Sequence, residues 1–171
     1  MLADLQLPVT LTVRTGSVLL RRATVDDADA IITLLADDPI SAARGDVASD
    51  VDRERYERGL AEVLTADGND QLVVEREGAV IGMFQLTRIP GVSRRGATRV
   101  LVEAVRVRTD LRSDGIGSAM MRWVSDVAAP ALDAQMVQLT SDAARVDAHR
   151  FYERLGYVGS HRGFKLSVPA H

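Results

Sequence analysis

The stretch Val105-Arg106-Val107-Arg108-Thr109-Asp110-Leu111-Arg112-Ser113-Asp114-Gly115-Ile116-Gly117-Ser118 decides the fold. A β-type apolar run enters Arg-x-x-Gly-x-Gly, and helix-type sequence follows at once. Such a junction suits a pyrophosphate, because a helix start presents unpaired backbone N–H groups and the positive end of a dipole. Gly115 and Gly117 carry no side chain to block an anion or to forbid positive φ. Arg112 adds a donor fork that matches phosphate oxygens. The same residues also suit an ordinary strand–turn–helix junction, so the rest of the chain has to decide between the two.

Working outward, residues 98–107 read as a long strand interrupted by Glu103, and residues 115–127 as a helix with Ile116, Met120, Trp123, Val124 and Val127 inward. Residues 136–140 read as a strand that the helix makes parallel to 98–107 through a right-handed crossover. Upstream, 71–76 and 79–87 flank Glu77-Gly78, a hairpin signal. Residues 18–23 read as a strand, followed by helices over 28–38 and 51–64. Downstream, 147–155 reads as a short helix stopped by Gly156, and 158–160 with 163–168 as a closing strand pair.

This order predicts one α/β domain (α+β by some schemes). Its sheet is mixed and mostly antiparallel, with a parallel central strand pair flanked by helices. The domain spans 17–168, behind a loose N-terminal extension over 1–16. A doubly wound dinucleotide fold is excluded, because Arg-x-x-Gly-x-Gly is shorter than its fingerprint and the acid about 20 residues later is missing. Gly-Lys-Ser/Thr is missing too, which excludes a P-loop.

The 171 residues match the size of one domain. A net charge of -3, with almost no Lys, offers no electrostatic case for nucleic acid. Cysteine is absent, which removes disulfides, zinc–thiolate sites and thiol nucleophiles. The three histidines, His149, His161 and His171, lack metal-ligand spacing, so no metal is expected. No apolar run approaches the ~18–20 residues that span a bilayer. Met1-Leu2-Ala3-Asp4 has an early acid and no basic start, unlike a signal peptide, so a cytoplasmic protein with no membrane partner is the expectation.

A second motif, His149-Arg150-Phe151-Tyr152-Glu153-Arg154-Leu155-Gly156-Tyr157, lies about 35 residues past the first. Together, on this element order, the two motifs resemble the GNAT superfamily of acetyl-CoA-dependent N-acetyltransferases. The resemblance covers roughly 17–168. It implies acetyl-CoA as cosubstrate, with Arg112, Ser113, Asp114, Gly115, Ile116, Gly117 and Ser118 around the pyrophosphate. Position 113 is often glycine in relatives and is serine here, which keeps the backbone donor; Asp114 is expected to point outward. The backbone of Val105, Arg106 and Val107 would pair with the pantetheine amides like an added strand, and one N–H there would polarise the thioester carbonyl.

Tyr152 resembles the tyrosine that protonates the departing thiolate; the bland reading is that it only packs. Phe151 and Leu155 read as core, and Tyr157 as a cap on the core beneath the helix. Glu103, charged amid apolar residues and of the same strand parity as Val105 and Val107, is the candidate base. Partial burial is expected to raise its pKa, and the bland reading is a glutamate that binds the substrate cation. His149 and His161 read as structural. Relatives often place a coenzyme-contacting Asn where Ser141 to Arg145 stand, so Ser141 or the backbone substitutes. Arg145 and Arg150 are candidates for the adenosine 3′-phosphate.

The implied reaction is acetyl transfer to the primary amine of a small molecule, by direct attack in a ternary complex. The run from Leu139 to Lys165 also resembles relatives that acetylate aminoalkylphosphonates. Two alternatives stand beside it: acetylation of protein N-termini or lysines, and a coenzyme A-binding regulatory module without catalysis. Asp46, Asp50 and Asp52 would draw a cationic acceptor, Arg94 and Arg95 an anionic one. Homodimerisation through the terminal strands belongs to the same resemblance.

Overall fold

A computed structural model describes residues 1–43, 45, 46, 48, 49 and 51–168 of the chain. They form two units, Met1–Leu139 and Thr140–His171. The first unit is built on one sheet whose strands run in chain order: β1 (Val9–Val13), β2 (Gly16–Arg22), β3 (Asn69–Arg76), β4 (Ala79–Ile89), β5 (Thr98–Val107) and β6 (Ala134–Leu139). Neighbours are antiparallel except β5 and β6, which are parallel. The helix that joins those two must carry the chain back to the starting end, which is why they align in parallel. Glu77 and Gly78, at φ 52 and 79, form a turn whose twist matches that of β3 and β4.

The alternation of side chains along the central strands builds two apolar layers. On one face, α1 (Ala28–Ala36) and α2 (Arg53–Thr65) bring Ile31, Leu34 and Leu60 against Val73 and Met83. On the other, α3 (Ile116–Trp123) buries Ile116, Met120 and Met121, and the Trp123 ring meets Phe84 edge-on at 6.3 Å. Arg21 of β2 donates twice to Asp27 and once to Glu75, each at 2.8 Å, and so ties the start of α1 to the sheet. The hydrogen bond from Arg21 is the main reason the Asp27 carboxyl is held below the usual carboxylate range. Asp70, beside Arg22, is pushed up instead, because burial outweighs the attraction of that guanidinium.

Three elements depart from the sequence expectation. Residues 9–13 are not loose but form the first strand, paired with β2 in a Val9↔Leu20 to Val13↔Gly16 register. The helix expected over 115–127 changes at Val124–Ala128 to a π-helical turn. The extra residue per turn rotates the face, so Val127 is 50% exposed while Val124 is fully buried. The third lies in the second unit, where 158–168 form no strand pair. Gly159 and Gly163 break that segment into short pieces, and an isolated two-stranded hairpin is at best marginally stable.

Among its described residues, the second unit has one helix, α4 (Val146–Arg154). Its C-terminus is closed by Gly156 at φ 89. The Gly156 N–H donates to the Glu153 carbonyl at 2.9 Å and the Tyr157 N–H to the Tyr152 carbonyl at 3.1 Å, the paired bonds of a Schellman cap.

Candidate active site

The decisive geometry lies on β5. Its parallel pairing with β6 runs from Thr98↔Ala134 to Val102↔Leu139 and stops there. Beyond Val102, within the first unit, β5 pairs with β4 alone. The Arg108 N–H donates to Ile81 of β4 at 2.9 Å. Peptide groups of alternate strand residues point the same way, so those of Arg106 also face β4 while those of Val105 and Val107 face the open edge. An extended ligand would add there as a strand does.

The opening depends on a bulge. Gln85 pairs with Glu103 and Met83 with Arg106, so Ala104 and Val105 share the place opposite Phe84, and Ala104 sits at φ 50. Beside it, Gly82, opposite Val107, lets the two strands approach closely: a Cβ there would stand 3.0 Å from the Arg106 carbonyl. The bulge also corrects the expected parity. Cross-strand partners share a face, so Glu103 and Arg106 point together toward the α1 side and Val105 and Val107 point the other way. Glu103 is exposed rather than partly buried, and its carboxylate has no hydrogen-bonding or ionic partner among the described residues. Arg106 reaches back to the Val105 carbonyl at 2.9 Å and across to the Ser41 hydroxyl at 2.5 Å, in the one-turn helix Pro39–Ala42.

After β5 the chain turns past Thr109, whose N–H and hydroxyl both donate to Asp37 at the end of α1. The loop that follows holds Ser113 at φ 73 and Gly115 at φ 86, with Asp114 between them outside the left-handed region. This alternation turns successive N–H groups into one concavity, a nest suited to an anion. Gly115 is the N-cap of α3, so the first-turn amides of Ile116, Gly117 and Ser118 add unpaired donors and the helix dipole. The Ile116 side chain is core, 1% exposed, and contributes only its backbone. Arg112 is exposed and its guanidinium is without a partner among the described residues.

Asp114 does not point outward. Its side chain is 9% exposed and accepts from the Thr15 N–H at 2.9 Å, the Thr15 hydroxyl at 2.6 Å and Arg76 at 2.6 Å. Those donors, Thr15 first, hold its carboxyl below the usual range. Neither Thr15 nor Arg76 was marked by the sequence reading, because nothing local connects them to residue 114. Gly82 did leave a signal, since a glycine inside a strand marks a bulge or close backbone approach.

In the second unit, the Tyr152 ring meets Phe151 edge-on at 5.0 Å and Tyr157 at 5.8 Å. Phe151 and Leu155 are half-buried, short of the core positions expected of them. The His149 Nε2 lies 2.8 Å from the Asp142 carbonyl, and the Asp142 carboxylate accepts from the Ala144 N–H, so His149 braces the turn before α4. The Ser141 hydroxyl is buried and makes no hydrogen bond among the described residues. Arg150 is engaged with Asp147 at 3.5 Å, and His161 with Ser160 at 2.7 Å. Of the acids suggested for acceptor binding, Asp46 takes a hydrogen bond from Tyr56 at 3.3 Å and Asp52 pairs with Arg55 at 2.9 Å. Asp50 and His171 lie outside the described residues. No cluster of potential metal ligands occurs among the described residues.

Comparison with known proteins follows the same geometry. The profile of the Acetyltransferase (GNAT) family matches residues 29–157. The chain is 29% identical over 149 residues to an aminoalkylphosphonate N-acetyltransferase of Salmonella typhimurium, covering 87% of this chain and 90% of that one. A crystal structure of a transcriptional regulator from Bacillus halodurans superposes with a TM-score of 0.83 at 32% identity, over 88% of this chain and 99% of the other. Glucosamine-6-phosphate N-acetyltransferase from Arabidopsis thaliana shares the fold, with a TM-score of 0.66 at 20% identity over 89% and 97% of the two chains.

Proposed function

Because this chain belongs to the acetyltransferase (GNAT) family of acyltransferases, we propose that it moves the acetyl group of acetyl-CoA to the primary amine of a small molecule. The observation that carries this reading is the pairing of two features around one strand: the open edge of β5 and, eight residues after its end, the nest that opens α3 at Gly115 and Ile116. The donor set fits the coenzyme. The amides of Ser113 and of residues 115–118 and the Arg112 guanidinium suit the pyrophosphate, and the Val105 N–H and the Val107 peptide groups suit pantetheine. Arg106 contributes through its guanidinium, since its own peptide groups face β4. Ser141, with its unsatisfied buried hydroxyl, supports the expectation that it replaces the usual Asn.

Bound acetyl-CoA supplies a thioester, whose C–S bond breaks as the amine nitrogen forms the new C–N bond. An N–H on the open edge at Val105 or Val107 polarises the thioester carbonyl. The Tyr152 hydroxyl gives its proton to the leaving sulfur; the motif around it supports that role. The Glu103 carboxylate accepts the proton of the arriving ammonium, directly or through water, and its exposure and lack of a partner keep it available. Glu103→Gln is expected to lower kcat/KM for the amine; an unchanged value leaves the proton to water.

The aminoalkylphosphonate N-acetyltransferase relative supports a small acceptor, and aminoalkylphosphonates belong among the first compounds to try. The test is thiol release from acetyl-CoA against a panel of small amines and peptides. Turnover with small amines alone supports the reading. Turnover only with peptide N-termini or lysines replaces the acceptor class, and coenzyme binding without turnover on any amine identifies a regulatory module. The homodimer is part of the same proposal: Phe164, Leu166 and Val168 are large apolar side chains left exposed. Sedimentation at micromolar concentration tests it.

A further inference from the structure

We propose that the turn between β1 and β2, with Arg76, is a positioning device that sets the anion-binding loop for the coenzyme pyrophosphate. The proposal rests on the pyrophosphate reading of that loop.

The bonds come in two sets. The first fixes the backbone. The Arg14 guanidinium donates to the Ser113 carbonyl at 3.0 Å, and the Arg14 N–H donates to the Asp114 carbonyl at 2.9 Å. In a trans peptide the carbonyl of one residue and the N–H of the next point in opposite directions. Holding these two carbonyls toward the β1–β2 turn therefore aims the Gly115 amide away from it, into the concavity, while the Asp114 amide, turned the same way, donates to the Leu111 carbonyl at 3.5 Å. Gly115 also lies close against the turn: a Cβ there would be 3.6 Å from the Arg14 side chain.

The second set deals with charge. A carboxylate in a pyrophosphate loop would repel its ligand. Asp114 is drawn to the opposite side by the Thr15 N–H, the Thr15 hydroxyl and Arg76, and the Arg76 guanidinium balances it. The loop is thus held in a backbone shape that is strained at Ser113, φ 73, before any ligand arrives. Binding then costs less ordering.

Thr15→Val removes the hydroxyl and keeps the backbone donor. Calorimetry is expected to show coenzyme A binding weakened on the order of ten-fold, the usual effect of losing one hydrogen bond to a charged group. Thr15→Ser should restore it. Because the device acts on the phosphates, the KM for S-acetylpantetheine, which lacks them, should stay within about two-fold of wild type; a general loss of structure would raise both. Asp114→Ala should weaken coenzyme A more than Thr15→Val. Wild-type protein that binds coenzyme A, with a Thr15→Val variant that binds it equally well, overturns the positioning role alone. Wild-type protein without affinity for coenzyme A overturns the pyrophosphate reading and this proposal together. Equal losses for coenzyme A and S-acetylpantetheine also overturn the proposal, because the effect would not be specific to phosphate.

Discussion

The loop at 112–118 and the helix that carries Tyr152 are held by opposite means. Asp114 takes two of its three hydrogen bonds from a residue 99 positions earlier in the chain. Tyr152 is set by bonds among close neighbours: its carbonyl accepts from Leu155 and Tyr157, and its ring is flanked by Phe151 and Tyr157. One region takes its shape only when the sheet has formed; the helix end at Tyr152 is closed by backbone bonds within six residues. The difference implies a division of labour. Changes in distant parts of the first unit should act on donor binding and stability, and changes at Tyr152 should act on the chemical step alone.

The largest expected effect tests the second half of that division. Tyr152→Phe keeps the ring contacts and removes the proton donor. Its kcat should fall on the order of 100-fold, while the KM for acetyl-CoA stays within about two-fold. An unaltered kcat takes Tyr152 out of the mechanism, and a KM that rises with the fall in kcat breaks the separation between the regions.

Next comes the network around Arg21 that ties α1 to the sheet of the first unit. Asp27→Asn removes the carboxylate on which the Arg21 guanidinium closes, and should cost about 2 kcal/mol near neutral pH, read as a lower denaturant midpoint. The sign of its pH dependence follows from the depressed Asp27 pKa. The native state favours the charged carboxylate more than the unfolded chain does, so this stability is present above the unfolded carboxylate range. It is lost as pH falls through the lower native value. Wild type and variant should therefore converge in acid. A gap that persists in acid would mean the loss comes from packing rather than charge.

The smallest effect is local to the loop. Ser113→Gly relieves a left-handed serine and should gain less than about 1 kcal/mol, with coenzyme A affinity unchanged because the N–H remains. Weaker coenzyme binding would show that the serine side chain, rather than the backbone, serves the site.

Much of this arrangement was legible in the residues. The β5 strand was expected at 98–107 and is observed as Thr98–Val107, and Gly156 ends its helix as its position predicted. Both depend on neighbours within a few positions. Where the reading went astray, long-range geometry had intervened. Strand parity placed Glu103 with Val105 and Val107 until one extra residue at Ala104 reversed it. Val127 was expected inward until a π-helical turn rotated it. Asp114 was expected outward because Thr15 and Arg76 cannot be seen from its neighbours. Residues 158–168 have an alternating pattern without a partner strand in the described structure, and pattern alone does not make a strand.

By itself, then, the sequence determined what depends on local chemistry: a mixed sheet with one parallel crossover, a glycine turn opening a helix, and a capped helix bearing Tyr152. Only the tertiary structure decided which way the groups face. Within the first unit, the β5 edge is unpaired past Val102 because β6 stops at Leu139 while β5 runs on to Val107. The direction of the loop amides is set by Arg14, and that of the Asp114 carboxylate by Thr15 and Arg76. A period of two or 3.6 residues fixes relative orientation within one element, but orientation between elements depends on bonds whose partners lie far apart in the chain.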